Sequence, residues 1–154
     1  MATPPHPASL SLRVSRTFAA PRHAVFRAWT DPAAIRQWFI EPTGGRWTEE
    51  PRVDARPGGE YRLAGESGGK RWCIHGVYRE VKPPERLVFT WLWEDHPNPG
   101  DSGDTVVTVE FLERGGRTEV VLTHHGFADE AARKDHATGW GECYDAIERF
   151  LGRL

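Results

Sequence analysis

Between residues 48 and 125 the chain shows only strand signatures, and one long amphipathic helix follows. This pairing constrains the fold more than any other feature of the sequence. Candidate strands occupy residues 49–54, 59–65, 71–81, 86–94, 105–113 and 118–125. They are separated by PGG, SGG, KPPE, DHPNPGDSGD and RGG, all rich in turn formers. Spacings this short favour consecutive antiparallel hairpins. Upstream, Leu10, Leu12 and Val14 alternate with Ser11, Arg13 and Ser15, the period of a half-buried strand. Pro21 suits a first helical turn, and Val25, Phe26 and Trp29 then share a face. Asp31-Pro32 repeats the start signal ahead of Ile35, Trp38 and Phe39. Asp129 can cap a final helix running to about Leu151, with Trp140, Tyr144, Ile147 and Leu151 on one stripe. The predicted class is α+β: two short helices after the first strand, and an antiparallel sheet of about seven strands. A sheet of this width curls, and only the last helix is long enough to fill its concave face.

Composition narrows the classes of function. The 154 residues suit one domain over residues 9–154, with the proline-bearing residues 1–8 as a loose tail. A net charge of -2 with interspersed signs offers no basic stripe for nucleic acid. No apolar run approaches the roughly 20 residues that cross a bilayer. The start lacks the basic and apolar regions of a signal peptide. Cys73 and Cys143 fit no metal or redox spacing and read as reduced thiols, so the expected compartment is the cytoplasm.

Three phrases carry a resemblance. They are RTFAAPRHAVFRAWTDPAAIRQWF, GVYREVKPPERLVFTWLW and HHGF followed by HATGWGECYDAIERFL. Together they resemble the activator-of-heat-shock-protein-90-ATPase-like branch of the START-like (SRPBCC) superfamily, over residues 10 to 151. The resemblance implies a helix-grip fold, a curved sheet closed around a long terminal helix with a hydrophobic cavity between them. Its members include ligand carriers, cyclases, resistance proteins and chaperone activators, so the fold does not determine the function.

The strand LVFTWLW places Leu87, Phe89, Trp91 and Trp93 on one face, expected inward. Val107, Val109 and Phe111, and likewise Val120, Leu122 and His124, form matching faces. Ordinary core formation also explains such residues, since burying one contributes about 1.5–3 kcal/mol. In strand 71–81, period alone does not separate Trp72, Ile74, Gly76 and Tyr78 from Cys73, His75, Val77 and Val81. The first face is taken as inward. The candidate ligand contacts are Trp38, Phe39, Tyr61, Trp72, Ile74, Phe89, Trp91, Trp93, Val109, Phe111, Leu122, His124, His136, Trp140 and Tyr144.

Gly139 and Gly141 flank Trp140 inside the last helix, each costing roughly 0.8–1 kcal/mol relative to Ala. Close packing of helix on sheet is the simpler explanation, and a widened cavity mouth is the functional one. His75, His124, His125 and His136 form no metal motif, and neighbours on a strand point apart, so no metal or cofactor is expected. The acidic loop 94–104 is long for a hairpin and reads as mobile, with a cavity lid or a contact surface as alternatives.

The leading expectation is a small hydrophobic ligand, lipid-like or aromatic, held in an internal cavity. A cyclase- or hydrolase-type enzyme is the alternative, with His124, His136 or Tyr61 as acid or base. A co-chaperone activating a chaperone ATPase is a third reading. It is weighted down because the N-terminal domain of dedicated eukaryotic activators is not among these residues. Oligomeric state is left open, a homodimer included.

Overall fold

A computed structural model describes residues 10–94 and 105–154. The expected tail 1–8 and nearly all of the loop 94–104 lie outside the described residues. Strand β1 (Leu10–Phe18) leads into three short helices, α1 (Arg22–Thr30), α2 (Pro32–Trp38) and α3 (Ile40–Thr43). Seven further strands follow: β2 (Arg46–Trp47), β3 (Arg52–Val53), β4 (Glu60–Ser67), β5 (Lys70–Lys82), β6 (Arg86–Glu94), β7 (Thr105–Arg114) and β8 (Arg117–Phe127). Helix α4 (Glu130–Gly152) ends the fold.

The strands form one antiparallel sheet in the order β1-β8-β7-β6-β5-β4-β2, with β3 also paired to β4. The first strand therefore closes on the last, Leu12 facing His124 and Val14 facing Leu122. Alternation sends Val107, Val109 and Phe111 of β7, and Val120, Leu122 and His124 of β8, to full burial on the concave face. Helix α4 lies there. Its Ala132, His136, Trp140, Cys143, Tyr144, Ala146, Ile147 and Phe150 are buried, while Leu151 is half-exposed. Asp129 starts this helix as expected, its carboxylate accepting from Ala132 N at 2.8 Å. Asp31 does the same for α2 at Ala33 N. Pro21 sits one residue before α1, outside it.

The structure corrects the expected element list in two places. The strand expected at 49–54 shrinks to β3, and a second short piece, β2, lies before the expected start; the two pair to opposite ends of β4. Pro51 lies between them, and proline has no amide proton to donate to a ladder. The third helical turn, α3, follows directly on Phe39 and ends at Gly44, which takes the left-handed backbone with φ 66°. In β5 the inward face is that of Trp72, Ile74 and Tyr78, while Val77 is 38% exposed. A register shift between Tyr78 and Glu80 then returns Val81 to the inner face, opposite Leu87, which defeats simple alternation.

Candidate functional site

The sheet's curl leaves a cavity of about 400 Å³ between α4, α3 and the β4–β5 hairpin. This size suits a small organic molecule. Its inner wall is aromatic and aliphatic: Phe39, Trp72, Ile74, Trp91, Trp93 and Trp140. Ring centroids of Trp91 and Trp140 are 5.0 Å apart, Phe39 and Trp72 5.9 Å, and Phe39 and Trp91 6.3 Å. Local backbone makes room for this wall. A Cβ at Gly65 would come within 2.5 Å of the Trp72 ring and 2.6 Å of Arg46 O. Glycine there lets the indole lie flat across its cross-strand neighbour.

Helix α4 supplies the opposite side at helical spacing: Asp135, Gly139 and Glu142 towards the rim, with His136, Trp140 and Cys143 deeper. Nothing lies within 4 Å of a Cβ built on Gly139 or Gly141. Close helix–sheet packing therefore does not account for these glycines, and the expected packing role is corrected. Gly139 borders the cavity, and a side chain there would project into free space. At the rim, Lys70 and Arg71 of β5 stand on one side and Asp135 and Glu142 of α4 on the other. Among the described residues none of these four charges forms an ion pair.

Beside the cavity lies a network of indoles and imidazoles. The Trp140 indole N–H donates to His124 Nδ1 at 3.0 Å. An indole can only donate, so the His124 proton sits on Nε2, which donates to Thr105 Oγ1 at 2.7 Å. Thr105 in turn donates to Trp91 O at 2.8 Å. His136 has the opposite tautomer: Trp93 donates to its Nε2 at 2.8 Å, and its Nδ1 donates to Ala132 O at 2.7 Å. The two imidazoles stand edge to face, 5.3 Å between centroids. Burial, then the neighbouring His136 and His125, hold the His124 pKa well below the usual histidine value. Burial likewise raises the Tyr61 phenol, which donates to Thr90 O at 2.5 Å, and pushes the Cys143 thiol up to about 12.

Of the fifteen expected contacts, seven border the cavity: Phe39, Trp72, Ile74, Trp91, Trp93, His136 and Trp140. Trp38, Tyr61 and Phe89 instead border a separate void of about 40 Å³ that shares Phe39, Trp91 and Trp140 with the main cavity. Val109, Phe111, Leu122, His124 and Tyr144 border neither. They are fully buried core, because the α1 rings reach across to this part of the sheet. Phe26 and Trp29 pack on Phe111 at 5.1 and 6.3 Å, and Tyr144 fills the space beside Phe18. Pro42, Thr43, Ser67, Lys70, Arg71, Asp135, Gly139, Glu142 and Cys143 also border the cavity and are not among the expected contacts. The rim brings together residues that carry no apolar signal in the sequence. Among the described residues, no group of three or more His, Cys, Asp or Glu could hold a metal ion.

A curved antiparallel sheet gripping a terminal helix around an apolar cavity defines a START-like helix-grip domain. The profile of the family described as Activator of Hsp90 ATPase homolog 1-like protein matches residues 19–152, and the chain belongs to that family. A protein from Chromobacterium violaceum is 25% identical with a TM-score of 0.79, the match covering 90% of this chain and 94% of that one. The AHSA1 protein from Silicibacter pomeroyi is 25% identical with a TM-score of 0.76, over 92% and 97% of the two chains. CalU16 from Micromonospora echinospora is 26% identical with a TM-score of 0.68, over 92% and 75%. A comparison with curated proteins gives no significant match. Membership marks the chain, in general terms, as a ligand-binding or co-chaperone-like domain. No helix among the described residues is long and apolar enough to cross a membrane.

Proposed function

We propose that the chain binds a small hydrophobic molecule, lipid-like or aromatic, in the cavity between its sheet and α4, and does so in the cytoplasm. The observation that carries this reading is the cavity of about 400 Å³ walled by Phe39, Trp72, Ile74, Trp91, Trp93 and Trp140. A core that needed these rings only for stability would close on them, because protein interiors pack to the density of organic crystals. The unpaired charges at the rim suit the polar end of an amphipathic ligand.

The enzyme reading has less support. Both nitrogens of His124 and both of His136 are engaged by indole, hydroxyl or carbonyl partners, and Tyr61 is a buried neutral phenol. A general base needs a free lone pair aimed at its substrate. The family description keeps a chaperone-directed role in view. Native mass spectrometry of the protein as purified, followed by a thermal-shift screen against lipids and aromatic polyketides, tests the proposal. A retained small molecule or a concentration-dependent rise in Tm is expected. A clean mass with no shift across the panel refutes it. Stimulation of a chaperone ATPase in the same preparation would favour the co-chaperone role.

A further inference from the structure

Two of the tryptophans that wall the cavity are held in place by histidines. Trp140 donates to His124 Nδ1 at 3.0 Å, and Trp93 donates to His136 Nε2 at 2.8 Å. A neutral imidazole has one accepting nitrogen, and an imidazolium has none. The other nitrogen of His124 is already committed: Nε2 donates to Thr105 Oγ1, whose own proton goes to Trp91 O. A proton added at Nδ1 would therefore meet the indole N–H, donor against donor. His124 is fully buried, and its surroundings supply no counter-charge among the described residues. Helix α4 brings His136 and Trp140 against it, while β1, β6 and β7 bring Leu12, Trp91, Val107 and Thr105. Its own strand adds Phe127 and the exposed His125. The titratable neighbours are thus histidines alone, which oppose a further positive charge. Protonation in the closed arrangement is disfavoured, so it is coupled to the departure of Trp140. The indole has room to leave: Gly139 and Gly141 flank it, and a Cβ built on either meets nothing within 4 Å.

We infer that ligand and proton compete for this cavity: neutral His124 holds Trp140 back as wall, and protonated His124 frees the indole to turn into the cavity and close it. The inference rests on the cavity being a binding site. It makes His124, which borders neither void, a positioning residue that acts through Trp140. A bound molecule occupies the space that the freed indole would take. Binding therefore favours neutral His124 and releases a proton wherever the empty protein carries one. Affinity is full above the pH at which His124 of the empty protein takes up its proton. Below that pH it falls by up to about tenfold per pH unit, the limit for one linked proton. Burial moves this uptake below the ordinary histidine value of 6.5, so the loss of affinity lies on the acid side of it.

N-Phenyl-1-naphthylamine, an apolar fluorophore that stays uncharged between about pH 4.5 and 7.5, tests this on the full chain. Far-UV circular dichroism at each pH confirms that the protein is folded. Fluorescence titration is expected to show affinity about tenfold lower at the acid end than at the neutral end. The indole N–H resonance of Trp140, assigned by its loss in Trp140→Phe, should shift together with the titration of the His124 ring in the empty protein. Adding the probe should move that titration to lower pH. In His124→Gln the amide oxygen accepts from Trp140 at every pH, so the acid and neutral affinities should agree within about twofold. If that variant does not fold, the two wild-type resonances carry the same test. Equal wild-type affinities at both ends, or a His124 titration that the probe leaves in place, overturn the inference and leave apolar binding intact. A pH dependence that persists in His124→Gln also overturns it, and assigns the proton to another group such as His136. No fluorescence rise at any pH, with a clean native mass spectrum, removes the binding-site reading and the linkage with it.

Discussion

Replacing Gly139 with leucine separates a packing glycine from a cavity glycine. A Cβ at this position meets nothing within 4 Å, so the new side chain enters the cavity without displacing a neighbour. The helix interior gains roughly 0.8 kcal/mol, because glycine costs about 0.8–1 kcal/mol relative to alanine and leucine is close to alanine. For a domain of this size that gain corresponds to a Tm rise of roughly 2–3 °C. The four added carbons take on the order of 100 Å³, at the roughly 30 Å³ that water occupies per molecule in the liquid. That bulk stands at the border of the cavity of about 400 Å³. Scanning calorimetry of apo protein should show a stable or slightly raised Tm. Titration with the strongest compound from the thermal-shift panel should show affinity lowered at least tenfold. A variant destabilised by 1 kcal/mol or more, with binding unchanged, would refute the argument by showing that Gly139 serves helix packing.

Three further outcomes are expected. The His124 pKa is lowered in the folded state, so the unfolded chain takes up a proton first as pH falls below about 6.5. Stability is therefore full above that pH. Below it, stability should fall by up to about 1.4 kcal/mol per pH unit until the folded-state pKa is passed. Urea denaturation between pH 5 and 7.5 should show this slope, and His124→Gln should remove it. Gly65→Ala places a Cβ 2.5 Å from the Trp72 ring and 2.6 Å from Arg46 O, so it should cost more than about 2 kcal/mol and alter the tryptophan emission. With their pKa values raised to about 11 and about 12, Cys73 and Cys143 should react slowly with Ellman's reagent at pH 8 until urea unfolds the chain.

Long elements were legible because their periodicities are long. The alternation in β7 and the caps at Asp31 and Asp129 lie where the period and the cap chemistry place them, whereas β6 is buried on both faces from Leu87 to Trp91. The two-residue strands β2 and β3 span less than one pleat repeat each, so no alternation could reveal them. Val81 faces inward only through a register shift that the residues themselves do not announce. The site was legible where one strand and one helix supply it, as in Trp91, Trp93, His136 and Trp140. It was illegible where tertiary packing decides between core and cavity. Phe111 and Leu122 have the same pattern as Phe89 and Trp91, but rings from α1 and α4 fill the space above them. Lys70 and Asp135 become rim partners only when a hairpin and a helix distant in the chain converge.

The pairing of β1 with β8 has a consequence for synthesis. Leu10 lies opposite Phe127, so the first strand has no sheet neighbour until more than a hundred residues have followed it. While the ribosome extends the chain, Leu12, Val14 and Phe18 form an amphipathic edge awaiting its partner. Non-local closure of this kind is slow because a long loop must be ordered before any contact rewards it. Maturation is therefore expected to wait on the last third of the polypeptide, and a nascent chain halted before β8 should be a target for holding chaperones.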